Sequence, residues 1–306
     1  MMTSEEELRW IERKIEAESA NHSYPESIAI VGLSGQFPKC STVEDFWKAL
    51  DSDISLIEEI PKSRFDWEEF YDSNVKAPNK FHSKWGGFIP NIEQFDPRFF
   101  QVLPDEAAYM DPRLRLLLMS VYHTLEDAGY DPSSLRKTKT GVFVGGEDNE
   151  YAMRLRDWGL ASGQGFEQAA NMIANRISYF FDFRGPSELV NTMCSGASIA
   201  LHRAVCALRS GEISNAVVGA ANIILSPDPY MLLSKAGQLS PTNSVCSFGK
   251  DAAGHLRSEG VASLLLKTRT QAEADGDRIY AVIKNTAVNY NGQGGTSIAA
   301  PYAESH

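Results

Sequence analysis

Cys194 stands in the run Leu189-Val190-Asn191-Thr192-Met193-Cys194-Ser195-Gly196-Ala197-Ser198. Leu189 and Val190 suit the end of a short buried strand, and a polar turn carries the chain to the cysteine. Ser195, Gly196 and Ala197 then open a helix whose apolar face is read as Ile199, Val205, Cys206 and Leu208, with Gly211 where a helix would stop. This placement suits nucleophilic chemistry for two reasons. The turn lifts the sulfur off the sheet, and the unpaired N–H groups at the positive end of the helix favour thiolate over thiol. The small residues that follow let a substrate approach the backbone. The competing reading is a buried structural cysteine, the commoner fate of this residue type.

The surroundings of Cys194 favour the first reading. Asn191 to Ser198, preceded by Asn-Arg-Ile-Ser-Tyr-Phe-Phe-Asp-Phe-Arg-Gly-Pro-Ser at 175–187, resembles the active-site segment of a β-ketoacyl synthase, the condensing domain of polyketide and fatty-acid synthases. Met193 in place of a smaller residue resembles the polyketide-type ketosynthases whose acyltransferase is a separate protein. The likeness extends to Ile28-Ala-Ile-Val-Gly-Leu-Ser-Gly-Gln-Phe-Pro, Lys84-Trp-Gly-Gly-Phe-Ile, Gln94-Phe-Asp-Pro-Arg-Phe-Phe and Asp111-Pro-Arg-Leu-Arg-Leu-Leu-Leu. It continues through Ile224-Leu-Ser-Pro-Asp-Pro-Tyr, Leu239-Ser-Pro, Cys246-x-Phe248, Gly254-His-Leu-Arg-Ser-Glu-Gly and Asp275-Gly-Asp-Arg-Ile-Tyr-Ala-Val-Ile, in order over residues 27–301.

Composition sets the outer limits. The 306 residues suffice for one large or two ordinary domains, and 43% hydrophobic with 23% charged residues is the balance of a water-soluble globular protein. No run approaches the roughly 18 apolar residues of a membrane span, and the acidic Met-Met-Thr-Ser-Glu-Glu-Glu start lacks the apolar core of a signal peptide. A net charge of −11 with no offsetting basic cluster argues against nucleic acid. Cys40, Cys194, Cys206 and Cys246 lack the short spacing of a zinc site; a cytoplasmic chain keeps them reduced, and all but Cys194 are read as structural.

The elements that must position the cysteine follow from the pattern. Residues 3–17 form a charged helix with Leu8, Ile11 and Ile15 on one face, marginal alone. It reads as either a frayed end or a docking or dimer-pairing helix, joined by a linker around Asn21–Ser27. A buried strand spans Ser27–Leu33. Ser41-x-x-Glu44 offers a capping box for a helix carrying Phe46, Trp47 and Leu50. Gly32-Leu-Ser-Gly35 does not complete a dinucleotide loop. Residues 60–95 read as irregular structure with short helices. A core helix starts at Pro112 and runs to Gly129 through Leu114, Leu117, Leu118, Val121 and Leu125, with His123 read as partly buried and structural. A second strand spans Gly141–Gly146, 147–166 reads as a mobile loop, and Gln168–Phe181 as a helix. Asn215–Leu225 is a third strand and Ser226-Pro-Asp-Pro caps a helix at 229–236. Strands at Glu259–Thr268 and Arg278–Asn289, joined by a helix at 269–275, close the order. Long apolar runs mean strands buried on both faces of a layered α/β sheet.

The resemblance implies the thiolase-like layered fold, α/β/α/β/α, built from two similar halves. Residues 1–25 are then an N-terminal docking or linker helix. Residues 26–306 are the N-terminal portion of a β-ketoacyl synthase domain, reaching the first strand of the second half. It also implies the chemistry. Cys194 accepts an acyl chain from the phosphopantetheine thioester of an acyl carrier protein, a malonyl-type thioester is decarboxylated, and the two are joined; the chain binds no cofactor of its own. A homodimer pairing through an edge of the first-half sheet is implied as well. The two family histidines, in His-Gly-Thr-Gly-Thr and Gly-His motifs, are matched by none of His22, His82, His123, His202, His255 and His306. His202 lies eight residues past Cys194 on one helix, about 12 Å along its axis and out of reach. Ala299 stands where the family has a threonine at the pantetheine arm, and Asn191 replaces an aspartate. Condensation is therefore expected to need a complementary C-terminal polypeptide. The alternatives are a carrier-binding module or inactive fragment that does not condense, and, less well supported, a cysteine hydrolase with a Cys–His pair.

Overall fold

A computed structural model describes residues 25–74, 76–147, 150–160, 169–294, 300 and 302. The helix expected at 3–17, most of its linker, and Ala299 lie outside the described residues.

The main sheet is built around apolar runs buried on both faces, with less buried strands at its two edges. Strands β1 (Ile28–Gln36), β4 (Thr140–Gly145), β5 (Ser187–Val190), β6 (Asn215–Asn222), β8 (Gly260–Thr268) and β9 (Ala281–Ile283) lie in the order β5-β4-β6-β8-β1-β9. β4 is parallel to β5 and β6, whereas β8 is antiparallel to β6 and β1, and β1 is antiparallel to β9. The strand expected at 278–289 is only three residues long and extends this same sheet. Β-strand β6 likewise stops at Asn222, short of the Leu225 expected.

Helices cover both faces, as the pleat requires. On one face Val142, Val144 and Val217 meet Leu117 and Val121 of α3 (Pro112–Asp127) and Ile173 and Ile177 of α5 (Met172–Phe181). On the other, Phe143, Ala216 and Val218 meet Ala200, Ala204 and Leu208 of α6 (Gly196–Arg209). Burying a side chain such as Phe143 is worth about 1.5–3 kcal/mol. The layered α/β architecture expected for the first half is the one observed.

Several local expectations are corrected. The cap of α1 (Val43–Asp51) is Thr42, whose Oγ1 accepts from Asp45 N at 3.0 Å; the helix begins too late for Ser41 and Glu44 to form the box. His123 on α3 is exposed, bonded to Glu126 at 3.0 Å. Part of the loop expected at 147–166 is helix α4 (Glu150–Asp157), tied down by Tyr151 Oη donating to Ala108 O at 2.6 Å. Helix α7 (Asp228–Lys235) follows Pro227 and has no side-chain cap from Ser226. Cys206 and Cys246 are exposed, so of the cysteines read as structural only Cys40 is buried.

The excursion around residues 55–95 carries a short 3₁₀ turn, Trp67–Glu69, and a small sheet of β2 (Glu58–Glu59), β3 (Trp85–Gly87) and β7 (Arg257–Ser258). It is fastened to the main sheet through Glu259. That carboxylate accepts from Arg64 Nε at 2.8 Å and Nη2 at 2.9 Å, from Ile89 N at 2.7 Å and from Ile224 N at 3.0 Å. Four donors satisfy a fully buried charge, which would otherwise be strongly unfavourable.

Candidate active site

The parallel strands β5, β4 and β6 end along one edge of the sheet, where loops and helix starts gather. Cys194 lies there. β5 stops at Val190, Thr192 and Met193 turn the chain, and Met193–Ser195 form a single 3₁₀ turn leading into α6. Met193 has φ +55°, left-handed backbone that non-glycine residues rarely adopt and that costs about 1–2 kcal/mol. The strain sits immediately before the cysteine and makes the turn sharp. Two glycines then bring helix and strand together: a β-carbon on Gly145 would lie 2.6 Å from Ala197 Cα, and one on Gly196 would lie 3.1 Å from Val190 O.

The result is an exposed Cys194 at the head of a 14-residue helix. Ser195 occupies the N-cap position but does not cap. Its hydroxyl turns back to donate to Thr192 O at 2.9 Å. The first-turn N–H groups of α6 are therefore not taken by the N-cap side chain, and a helix start with such donors is suited to an anion. The apolar face of α6 is the expected one at Val205 and Leu208 but not at Ile199 and Cys206. Alanines 200, 204 and 207 with Val205 and Leu208 face the core, Ile199 is half-buried, and Cys206 points away.

None of the described histidines hydrogen-bonds Cys194. His202 Nδ1 lies 2.8 Å from Thr286 Oγ1, and its Nε2 lies 3.5 Å from Cys206 Sγ. His82 is buried, with Nε2 donating to Leu239 O at 3.1 Å and Nδ1 against Ser234 Oγ. His255 takes part in a backbone bridge with Leu239. His202 is thus held by Thr286, whereas the His255 side chain is exposed. Near the same sheet edge, Glu150 of α4 accepts from Ser226 Oγ at 3.4 Å, and burial pushes its carboxyl up from the ordinary value. Burial also pushes the Cys40 thiol up.

The β-ketoacyl synthase N-terminal domain model matches residues 25–272, on which Cys194 and its whole framework lie. The chain belongs to the β-ketoacyl synthase family. It is 41% identical to the polyketide synthase PksN of Bacillus subtilis (strain 168) over 294 residues, 95% of this chain and 5% of that protein. Among solved structures it resembles the oxazolomycin ketosynthase domain OzmH KS7 of Streptomyces albus JA3453, with TM-score 0.82, 42% identity, and coverage of 88% of this chain and 48% of the other. It also resembles the ketosynthase from module 6 of the bacillaene synthase of Bacillus subtilis 168, with TM-score 0.82, 37% identity and coverage of 92% and 46%. The chain spans about half the length of the ketosynthase structures it matches, and its fold is that of their thiolase-like layers.

Sequence reasoning singled out Cys194 but missed much of the framework around it. Nothing in the residue types announced the left-handed Met193. The Gly145–Gly196 approach was visible only as two glycines in separate motifs. Glu259, the last acid of Gly254-His-Leu-Arg-Ser-Glu-Gly, was legible as part of a motif and not as the buried partner of Arg64, 195 residues away.

Proposed function

We propose that Cys194 is the acyl-accepting nucleophile of a polyketide-type ketosynthase, loaded from the phosphopantetheine thioester of an acyl carrier protein. The observation that carries this reading is the exposed cysteine on a sharp turn at the head of α6, within a β-ketoacyl synthase framework. The thiolate attacks the thioester carbonyl and a carbon–sulfur bond forms. The carbonyl oxygen takes the negative charge, for which the backbone N–H of Cys194 and the start of α6 are the donors at hand. Collapse breaks the bond to the pantetheine sulfur, which leaves as a thiolate and is protonated by water. Residues 26–306 act in this reading as the N-terminal portion of the domain, in the cytoplasm. Strand β5 at the open edge of the sheet offers the pairing surface for a homodimer.

Decarboxylative condensation makes a further demand, a carbanion equivalent and an expelled carboxylate, met in the family by two imidazoles worth about 10²–10⁴-fold each as acid–base groups. The engagement of His202 with Thr286 and Cys206 favours a second reading of the 306-residue chain by itself, as an acyl-accepting module that does not elongate. Incubation with an acyl thioester and a malonyl-loaded carrier protein tests both. Protein mass reports acylation, and the carrier reports a β-ketoacyl product. Acylation that disappears in Cys194→Ala, without product, is the expected result. A β-ketoacyl product formed at a turnover rate by the chain alone overturns the second reading, and acylation that survives Cys194→Ala overturns the first.

A further inference from the structure

Helix α6 carries a second cysteine that acyl transfer does not use. Cys206 is exposed, and four residues before it His202 brings its Nε2 to 3.5 Å from the sulfur. A spacing of four places the two side chains next to each other on one face of the helix. The other ring nitrogen of His202, Nδ1, lies 2.8 Å from Thr286 Oγ1, on the segment that follows β9. That segment is fastened to the last turn of α6. Arg209 Nη2 donates to Lys284 O at 2.7 Å and Nη1 to Asn285 Oδ1 at 3.1 Å, and the same Oδ1 accepts from Thr286 N at 2.9 Å.

Thiol, imidazole and hydroxyl stand in the order nucleophile, base and orienting group. With Nδ1–H donated to Thr286, Nε2 turns its lone pair to the sulfur and can take the thiol proton. The base that a cysteine hydrolase requires is therefore present at Cys206, whereas none of the described histidines bonds Cys194. Hydrolysis still does not follow. Cys206 lies inside α6, so its own N–H is engaged by His202 O, and the helix offers no free donor beside the sulfur for an oxyanion. Attack on a disulfide forms no oxyanion. It needs a thiolate, access from solvent and a thiol-derived leaving group; α6 supplies the first two and the disulfide brings the third.

We propose that Cys206 is a thiol–disulfide exchange site, reversibly modified by small disulfides of the glutathione type, with His202 as its base and Thr286 as the residue that positions His202. The imidazole takes the thiol proton, and the thiolate attacks one sulfur of the disulfide. A bond from Cys206 Sγ to that sulfur forms as the original S–S bond breaks, and the departing thiolate takes the proton from the imidazolium. One half of the disulfide stays on Cys206 and the other leaves as a thiol, so the disulfide itself is the oxidant. Cys194, at the head of the same helix, lies twelve residues back, about 18 Å along the axis and too far to displace the adduct. An outside thiol reverses the modification.

The test incubates the full 306-residue chain with oxidised glutathione at neutral pH and follows each cysteine peptide by mass spectrometry. Cys206 should gain one glutathionyl group, and dithiothreitol should remove it. Cys246 is also exposed but has no hydrogen-bonded imidazole among the described residues, and it should react about tenfold more slowly. His202→Gln should slow Cys206 about tenfold. Thr286→Val should slow it in the same direction, and Thr286→Ser, which keeps the hydroxyl, should restore the parent rate. Both positions are half-buried, and circular dichroism should show the variants folded. The proposal is overturned if Cys206 gains no glutathionyl group, if Cys246 gains it as fast in the parent chain, or if His202→Gln reacts as the parent does. A Thr286→Ser variant as slow as Thr286→Val overturns the positioning role of the hydroxyl.

Discussion

Gly145, the last residue of β4, lies against Ala197 in the first turn of α6 so closely that a β-carbon on it would come within 2.6 Å of Ala197 Cα. The contact is backbone against backbone, so no side chain can swing aside. It sets the height at which α6 leaves the sheet, and with it the position of Cys194. Gly145→Ala should destabilise the chain by about 1–3 kcal/mol, the usual consequence of overpacking. It should also slow alkylation of Cys194 relative to Cys246, which is remote in sequence. Urea unfolding and site-resolved mass spectrometry would check the two effects; unchanged stability together with unchanged labelling would show that the contact positions nothing.

Arg64 and Glu259 form an ion pair with side chains 6% and 0% exposed. Removing the guanidinium leaves a buried carboxylate with only the Ile89 and Ile224 amides. Arg64→Met should therefore cost about 3–5 kcal/mol, and Arg64→Met with Glu259→Gln clearly less, because the second change removes the orphaned charge. Urea titrations of the parent, both single variants and the double variant would measure the coupling. A double variant less stable than Arg64→Met would contradict the account.

Glu150 supplies a pH dependence of opposite sign to the usual carboxylate. Burial raises its folded value above the ordinary 4.5, against weaker opposing effects of Arg257 and Arg113. Between 4.5 and that higher value the folded chain holds more protons at this site than the unfolded chain, so this contribution to stability falls as pH rises through the window. Glu150→Gln keeps an acceptor for Ser226 and removes the charge. Its melting temperature should exceed that of the parent at pH 7, with the difference shrinking at pH 4. A difference that grew toward acid would mean the carboxylate is stabilised in place.

The outline of the fold was legible wherever one face of a periodic element was large and apolar. Leu114, Leu117, Leu118, Val121 and Leu125 gave α3 its face, and all are buried. α6 misled because its core face is mostly alanine. Reading Ile199, Val205, Cys206 and Leu208 as the stripe put Cys206 inside, whereas Ala204 is inside and Cys206, two residues and about 200° on, is outside. Thr42 and Ser41 are adjacent hydroxyls, and only the backbone decides which precedes the first helical residue. α4 has a single buried side chain, Leu155, and its anchors at Ala108 and Ser226 are far away in sequence, so a local pattern could not reveal it. The site behaved likewise. The cysteine and its helix were local and readable, whereas Met193 φ, the Gly145 contact and the histidine partners depend on tertiary structure.

The four thiols should react in an order set by their surroundings. Cys40 is buried and its thiol is pushed up, first by burial and then by Asp45, so it should be the slowest. Cys246 is exposed, among the turns that follow Leu239. Cys206 is exposed with the His202 imidazole 3.5 Å away, a base able to take its proton. Cys194 is exposed on the sharp turn at the head of α6, where the cap side chain is turned away. With its sulfur open to solvent at the helix start, Cys194 should label fastest with iodoacetamide at neutral pH. His202→Gln should slow Cys206 and leave Cys194 unchanged. Labelling each site as a function of pH, with mass spectrometry to resolve the peptides, measures both. Faster labelling of Cys206 or Cys246 than of Cys194 would place the reactive sulfur away from the strand–helix turn and remove the chemical basis for acyl transfer there.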